Sequence, residues 1–156
     1  MKELTDDWIE ELLREEKRLP PDYKKRLTLK IRNRNKEAQL ELEGENGNYF
    51  RLLLRQSQHN HLSFSVILAY CPQETNRIII LRRYNGNTHE HTNHLEKETF
   101  RGFHKHTATE KYVDSPWKDE TYAELSKSFF DLDSALSLML QECGFTPSLD
   151  GQMKLW

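Results

Sequence analysis

From Leu27 to Tyr84 the chain repeats one pattern that any fold must satisfy: apolar residues recur at every second position, in run after run. In RLTLKIRNR, Leu27, Leu29 and Ile31 alternate with Thr28, Lys30 and Arg32. In EAQLELEG, Ala38, Leu40 and Leu42 alternate with Gln39, Glu41 and Glu43. A period of two places each set on one face of a strand, so both segments read as half-buried strands of a hairpin. Asn46-Gly47 follows, the pair that best tolerates the positive φ angles of a tight reversal. YFRLLLRQS then sets Phe50, Leu52 and Leu54 on one face, and LSFSVILAY does the same with Leu62, Phe64, Val66, Leu68 and Tyr70. RIIILRRYNG begins β-branched and apolar and ends basic, as expected of a strand that leaves the core for a functional rim.

The flanks change period. Trp8, Ile9, Leu12 and Leu13 share a helical face behind a capping Thr5, and Pro20-Pro21 stops that helix. Leu132, Ala135, Leu136, Met139, Leu140 and Cys143 recur at helical spacing between Asp131, a candidate N-cap, and Gly144, a candidate C′ residue. The expected fold is α+β, an antiparallel meander sheet of five to six strands covered by N- and C-terminal helices. One domain of 156 residues accommodates it. Residues 1–20 are the N-terminal helix, 26–112 the sheet with a His-rich loop, and 113–156 an acidic helical segment.

Several classes are disfavoured by composition. The longest apolar run, Val66 to Cys71, is far short of the roughly 20 residues of a membrane span. The acidic, amphipathic start lacks the apolar core of a leader, so cytoplasm is the expected compartment. Cys71 and Cys143 stand alone, without the spacing of a zinc knuckle or a disulfide framework. Charge is distributed unevenly. Arg82 to Tyr112 holds six basic and four acidic residues, whereas Val113 to Trp156 holds three and eight. Five of the seven histidines fall between His89 and His106. A local basic, His-rich patch can therefore meet an anion although the chain carries a formal charge of −2.

Within that patch, NGNTHEHTNHLEKETFRG reads as a long loop, and FHKHTATEKY as a returning sixth strand with His104, His106 and Ala108 on one face and Phe103, Lys105 and Thr107 on the other. Imidazoles two positions apart on a strand suit two chemistries. They can share a metal ion with a third ligand from His89, His91 or His94. They can also act without metal or cofactor as a base and an acid, a pairing that RNA cleavage by a 2′-hydroxyl requires. Arg83, Lys105, Arg101 and Lys111 are then candidate phosphate ligands, and Tyr84 and Tyr112 can orient the phosphate or stack on a base. A hydrated strand and loop with no chemistry is the third reading.

LRRYNGNTHEHTN followed by FHKHTATEKY resembles a family of small bacterial proteins that share an Arg-Tyr-Asn-Gly start, a His-x-His-Thr-Asn loop and a Phe-His-x-His segment. More distantly it is similar to the TumE class of toxins from bacterial toxin-antitoxin pairs. That resemblance implies Arg83, His91, His104 and His106 as the functional set. The combined expectation is a toxin-like protein acting on RNA with His104, His106 and Arg83 at the reaction and His91, Lys105, Lys111, Tyr84 and Tyr112 around the substrate. RNA and an antitoxin are the expected partners. The rival expectations are a binding or inhibitor module without turnover, directed at a protein or nucleic acid, and a metal-dependent hydrolase.

Overall fold

The alternating segments pair with their neighbours in sequence. A computed structural model of the chain describes residues 4–86, 90–93, 95, 98–109 and 122–147. In chain order the elements are α1 (Asp6–Arg14), β1 (Lys17–Arg18), α2 (Tyr23–Arg26), β2 (Lys30–Arg32), β3 (Asn35–Glu43), β4 (Tyr49–Ser57), β5 (Phe64–Tyr70), β6 (Ile79–Asn85), β7 (Glu90–Asn93), β8 (Glu98–Arg101), β9 (His104–Thr107), β10 (Tyr122–Leu125), α3 (Leu132–Glu142) and β11 (Phe145–Thr146). Seven strands form one antiparallel sheet in the order β10-β9-β6-β5-β4-β3-β2. A parallel β1-β11 pair and a β7-β8 hairpin stand apart from it.

The class is the expected α+β, and three segments differ in detail. The sheet gains β10 from a part of the acidic tail that read as helical. The strand expected from Leu27 is interrupted at its start by α2. Tyr23 and Leu27, four residues apart, are both buried, and a helical turn stacks them about 6 Å apart along the chain where a strand would set them about 13 Å apart. Only Lys30–Arg32 then pairs with β3. The long loop is not structureless either: Glu90–Asn93 pairs with Glu98–Arg101, so this excursion satisfies part of its own backbone.

One face of the sheet carries the core. Leu40, Leu52, Leu54, Val66, Leu68 and Tyr84 pack with Ile9, Leu12 and Leu13 of α1 and with Leu132, Ala135, Met139 and Leu140 of α3. Both expected helix starts are built: Thr5 accepts from Trp8 N at 3.1 Å, and Asp131 and Ser134 cap each other in a reciprocal capping box. Gly144 takes the left-handed φ of +79° that ends α3. A Cβ there would also fall 2.5 Å from the Glu15 carbonyl oxygen, so glycine is needed twice over.

The two helices end at the same side chain. Lys17 is fully buried, and its ammonium donates to the carbonyls of Leu12, Glu15 and Cys143 at 2.8 Å, with Leu13 O at 3.2 Å. Helix C-termini leave carbonyls without partners and carry partial negative charge, so one cation here serves both α1 and α3. The Phe50 ring lies 4.5 Å beneath it. The adjacent Glu15 faces the other way, accepting from Asn46 N at 3.0 Å and Asn48 Nδ2 at 2.6 Å, and so clamps the Asn46-Gly47 reversal to the helix end.

Two outcomes follow for this anchor. Lys17→Met removes the donor but not the carbonyls, each unmatched group costing about 1–3 kcal/mol, and urea unfolding should register a loss of about 3 kcal/mol or more. Burial lowers the Lys17 ammonium from 10.5 to about 8, against the opposing pull of Cys143 and Glu15. The unfolded chain therefore binds more protons between those two values, and wild type should gain stability relative to Lys17→Met as pH rises from 8 to 10.5.

Candidate functional site

The face of the sheet away from the helices carries a polar row that crosses six strands in register. Lys30 lies opposite Glu37, Glu37 opposite Arg55, Arg55 opposite Ser65, Ser65 opposite Asn85, and Asn85 opposite His104. Strand alternation puts all six side chains on one side, because their neighbours Ala38, Leu54, Val66 and Tyr84 turn to the core. Arg55 Nε lies 3.5 Å from Glu37 Oε2. Between Arg55 and Asn85 the row opens into a polar cleft of about 260 Å³, lined also by Ser63, Ser65 and Gly86. Gly86 closes the cleft against the turn before β5: a Cβ there would fall 1.7 Å from the Leu62 carbonyl oxygen.

The row ends at two imidazoles. His104 and His106 are 2 % and 1 % exposed, on one face of β9 as the alternation predicts, with ring centroids 4.7 Å apart. Ser65 Oγ donates to Asn85 Oδ1 at 2.7 Å, which leaves the Asn85 amide nitrogen directed at both rings. That nitrogen is 3.1 Å from His106 Nε2 and 3.5 Å from His104 Nε2. His104 Nδ1 lies 2.6 Å from Gly102 O. A carbonyl accepts only, so His104 carries its proton on Nδ1; an amide NH2 donates only, so both Nε2 atoms present lone pairs. The serine, the asparagine and the two histidines thus form a directed relay with two basic nitrogens converging at its end.

The other expected residues separate into two groups. Arg83 is half-buried on the same face, directly opposite His106 across the β6-β9 ladder. Tyr84 and Lys105 turn to the opposite, core-facing side. Tyr84 is fully buried, stacks on Phe129 at 5.3 Å between centroids and donates its hydroxyl to Glu142. Burial pushes that phenol well above its ordinary value, helped by Cys143 and the bond to Glu142. The Lys105 ammonium sits 3.1 and 3.2 Å from the two Glu142 oxygens and 5.2 Å from the centre of the Tyr84 ring. The expectation that Tyr84 stacks on a base and Lys105 holds a phosphate is therefore corrected: both are engaged on the helix side of the sheet, away from the imidazoles. His91 is placed by backbone on β7, opposite Phe100 of β8, and Arg101 likewise on β8. Lys111 and Tyr112 lie outside the described residues.

For the metal reading, His89 and His94 also lie outside the described residues, and among the described ones no three His, Cys, Asp or Glu side chains are grouped to hold an ion. The residues that the sequence pattern did not single out are Ser65 and Asn85. Each occupies an unremarkable polar position on its own strand, and only strand register aligns them with Arg55 and His104.

The class defined here is an α+β chain with an antiparallel sheet, helices on one side and a polar, histidine-terminated row on the other. Comparison with known proteins finds no matching family model, no similar curated protein and no similar solved structure. No helix among the described residues is long and apolar enough to cross a membrane.

Replacing Asn85 tests the relay. Asn85→Leu leaves the Ser65 hydroxyl and both Nε2 atoms unmatched and should destabilise the fold by about 1–3 kcal/mol. In wild type, two-dimensional 15N NMR of the imidazoles in their neutral form should show Nδ1 protonated and Nε2 bare in both His104 and His106.

Proposed function

We propose that this chain is a toxin-like bacterial protein of the cytoplasm that cleaves RNA without a metal, using His104 and His106. The observation that carries this reading is the convergence of two Nε2 lone pairs on one amide, Asn85 Nδ2, at the end of a polar cleft. A ribose 2′-hydroxyl entering that position replaces the amide as donor and meets a base already turned toward it. The base takes the hydroxyl proton while the oxygen attacks phosphorus; the bond to the 5′-oxygen breaks, and the second imidazole, protonated, returns a proton to that oxygen. The products are a 2′,3′-cyclic phosphate and a free 5′-hydroxyl. Arg83, opposite His106, supplies a guanidinium for the charged phosphoryl oxygens. The toxin-antitoxin setting, and an antitoxin as partner, follow from the resemblance to the TumE class.

Burial of both imidazoles favours a second reading, a binding module without turnover, because a reaction of this kind needs the cleft to open onto the rings. One experiment separates the two. His104→Gln and His106→Gln keep an acceptor for Asn85 but not a titrating base, so they are compared with wild type for thermal stability, growth on induced expression and RNA integrity. Cleavage by wild type, reduced about 10²-fold or more in each folded variant, supports the catalytic pair. Intact RNA with wild type, or undiminished cleavage by both folded variants, rules it out.

A further inference from the structure

The edge of the sheet opposite the histidines carries the most concentrated charge in the chain. Lys24, Lys25, Arg26, Lys30, Arg32, Arg34 and Lys36 place seven cations and no carboxylate between positions 24 and 36, which leaves 16 basic against 25 acidic residues in the rest of the sequence. Six of the seven are exposed and Lys36 is half-buried. Two have weak pairs: Arg26 with Asp22 at 3.9 Å and Arg32 with Glu37 at 3.8 Å. Lys24, Lys25, Lys30, Arg34 and Lys36 have no carboxylate partner among the described residues. Cations left unpaired in a chain that has acid to spare are available to an external anion.

Register shows where that anion would be led. Lys30 and Arg32 project to the helix-free face, since Lys30 pairs with Glu37 and Arg32 with Asn35. Lys30 begins the row that ends at His104, and a groove of about 280 Å³ beside it reaches Arg55, which also lines the polar cleft at Asn85. Asn35, at the foot of the same hairpin, lines that cleft too. The cationic edge and the imidazole pair are therefore two ends of one polar track on one face. Ile31 turns the other way and is 71 % exposed at the open edge.

We propose that Lys30, Arg32 and Arg34, flanked by the α2 lysines, form a docking surface for the sugar-phosphate backbone of single-stranded RNA and feed it along the sheet toward Arg55 and Asn85. The destination of the strand rests on the reading of His104 and His106 given above; the docking does not require turnover. A flexible single strand fits the track because its phosphates can follow cations carried on a turn, a strand edge and a sheet face, and binding releases condensed counterions.

The test is fluorescence anisotropy with a labelled 2′-O-methyl oligouridine of 20 nucleotides, which binds but cannot be cut through the 2′-oxygen. Wild type, the triple variant Lys30→Glu, Arg32→Glu, Arg34→Glu and the control Arg77→Glu, an exposed charge in the β5-β6 connection, are compared from 50 to 200 mM salt, with thermal melts confirming the fold. Five phosphate contacts give a slope of about −3.5 in log K against log salt and a loss of about 10²-fold across that range. The triple variant should bind at least about 10-fold more weakly with a slope flatter by about two, and Arg77→Glu should bind as wild type does. Undiminished binding by the triple variant overturns the proposal. So does a poly-glutamate peptide that competes as well as unlabelled RNA, which would assign the edge to an acidic protein. Cleavage lost or absent while this binding persists counts against the catalytic reading alone.

Discussion

A single ammonium group, Lys17 Nζ, closes the C-terminal ends of both long helices at once. It is buried without a carboxylate in direct contact, so its charge is balanced by the dipoles of helix-end carbonyls and by the face of Phe50. The arrangement ties the first helix, the last helix and β4 to one point. Glu15, two residues earlier, extends the tie to the β3-β4 reversal through Asn46 and Asn48. Gly144 is part of the same knot, because the chain passes the Glu15 carbonyl too closely for a side chain. With both helices fixed on one side of the sheet, the other side carries the polar row from Lys30 to His104, with Leu53 and Ile67 beside it.

That division of labour sets what the site can be. On the helix side the polar groups are consumed internally: Tyr84, Lys105 and Glu142 satisfy one another beside the aromatic stack of Tyr84, Phe129, Phe103 and Phe64. On the other side Ser65 donates to Asn85, Asn85 to the two Nε2 atoms, and His104 Nδ1 to the Gly102 carbonyl. Adjacent residues of one strand, Tyr84 and Asn85 or His104 and Lys105, thus belong to different chemical systems. A one-residue slip of β9 against β6 would exchange them and destroy both.

Much of this could be read from the residues in order. The apolar alternation of β3, β4 and β5, the Asn46-Gly47 turn, the Thr5 and Asp131 caps and the Gly144 end are local signals, and each appears where its chemistry requires. The same alternation put His104 and His106 together on one face of β9. Local signals failed where burial overrode them. Tyr23 and Leu27 form a helical turn because that buries both rings and methyls together, although Leu27, Leu29 and Ile31 alternate like a strand. Tyr84 and Lys105 looked like substrate contacts because they neighbour arginine and histidine in sequence, yet strand geometry turns them inward. The cationic run from Lys24 to Lys36 was legible as a charge count, but its position on the sheet edge was not.

The sequence by itself determined which residues face together within each element, because side-chain direction along a strand or helix repeats with the backbone and needs no distant partner. It likewise determined where helices begin and where the chain reverses. Tertiary structure decided which strand lies beside which and in what register, and so brought Arg55, Ser65, Asn85 and His104 into one row from four strands spread over about fifty residues. It also decided that a lysine near the end of the first helix would cap the last one. Those outcomes depend on contacts between residues far apart in the chain, whose loop-closure cost is recovered only when the common core forms.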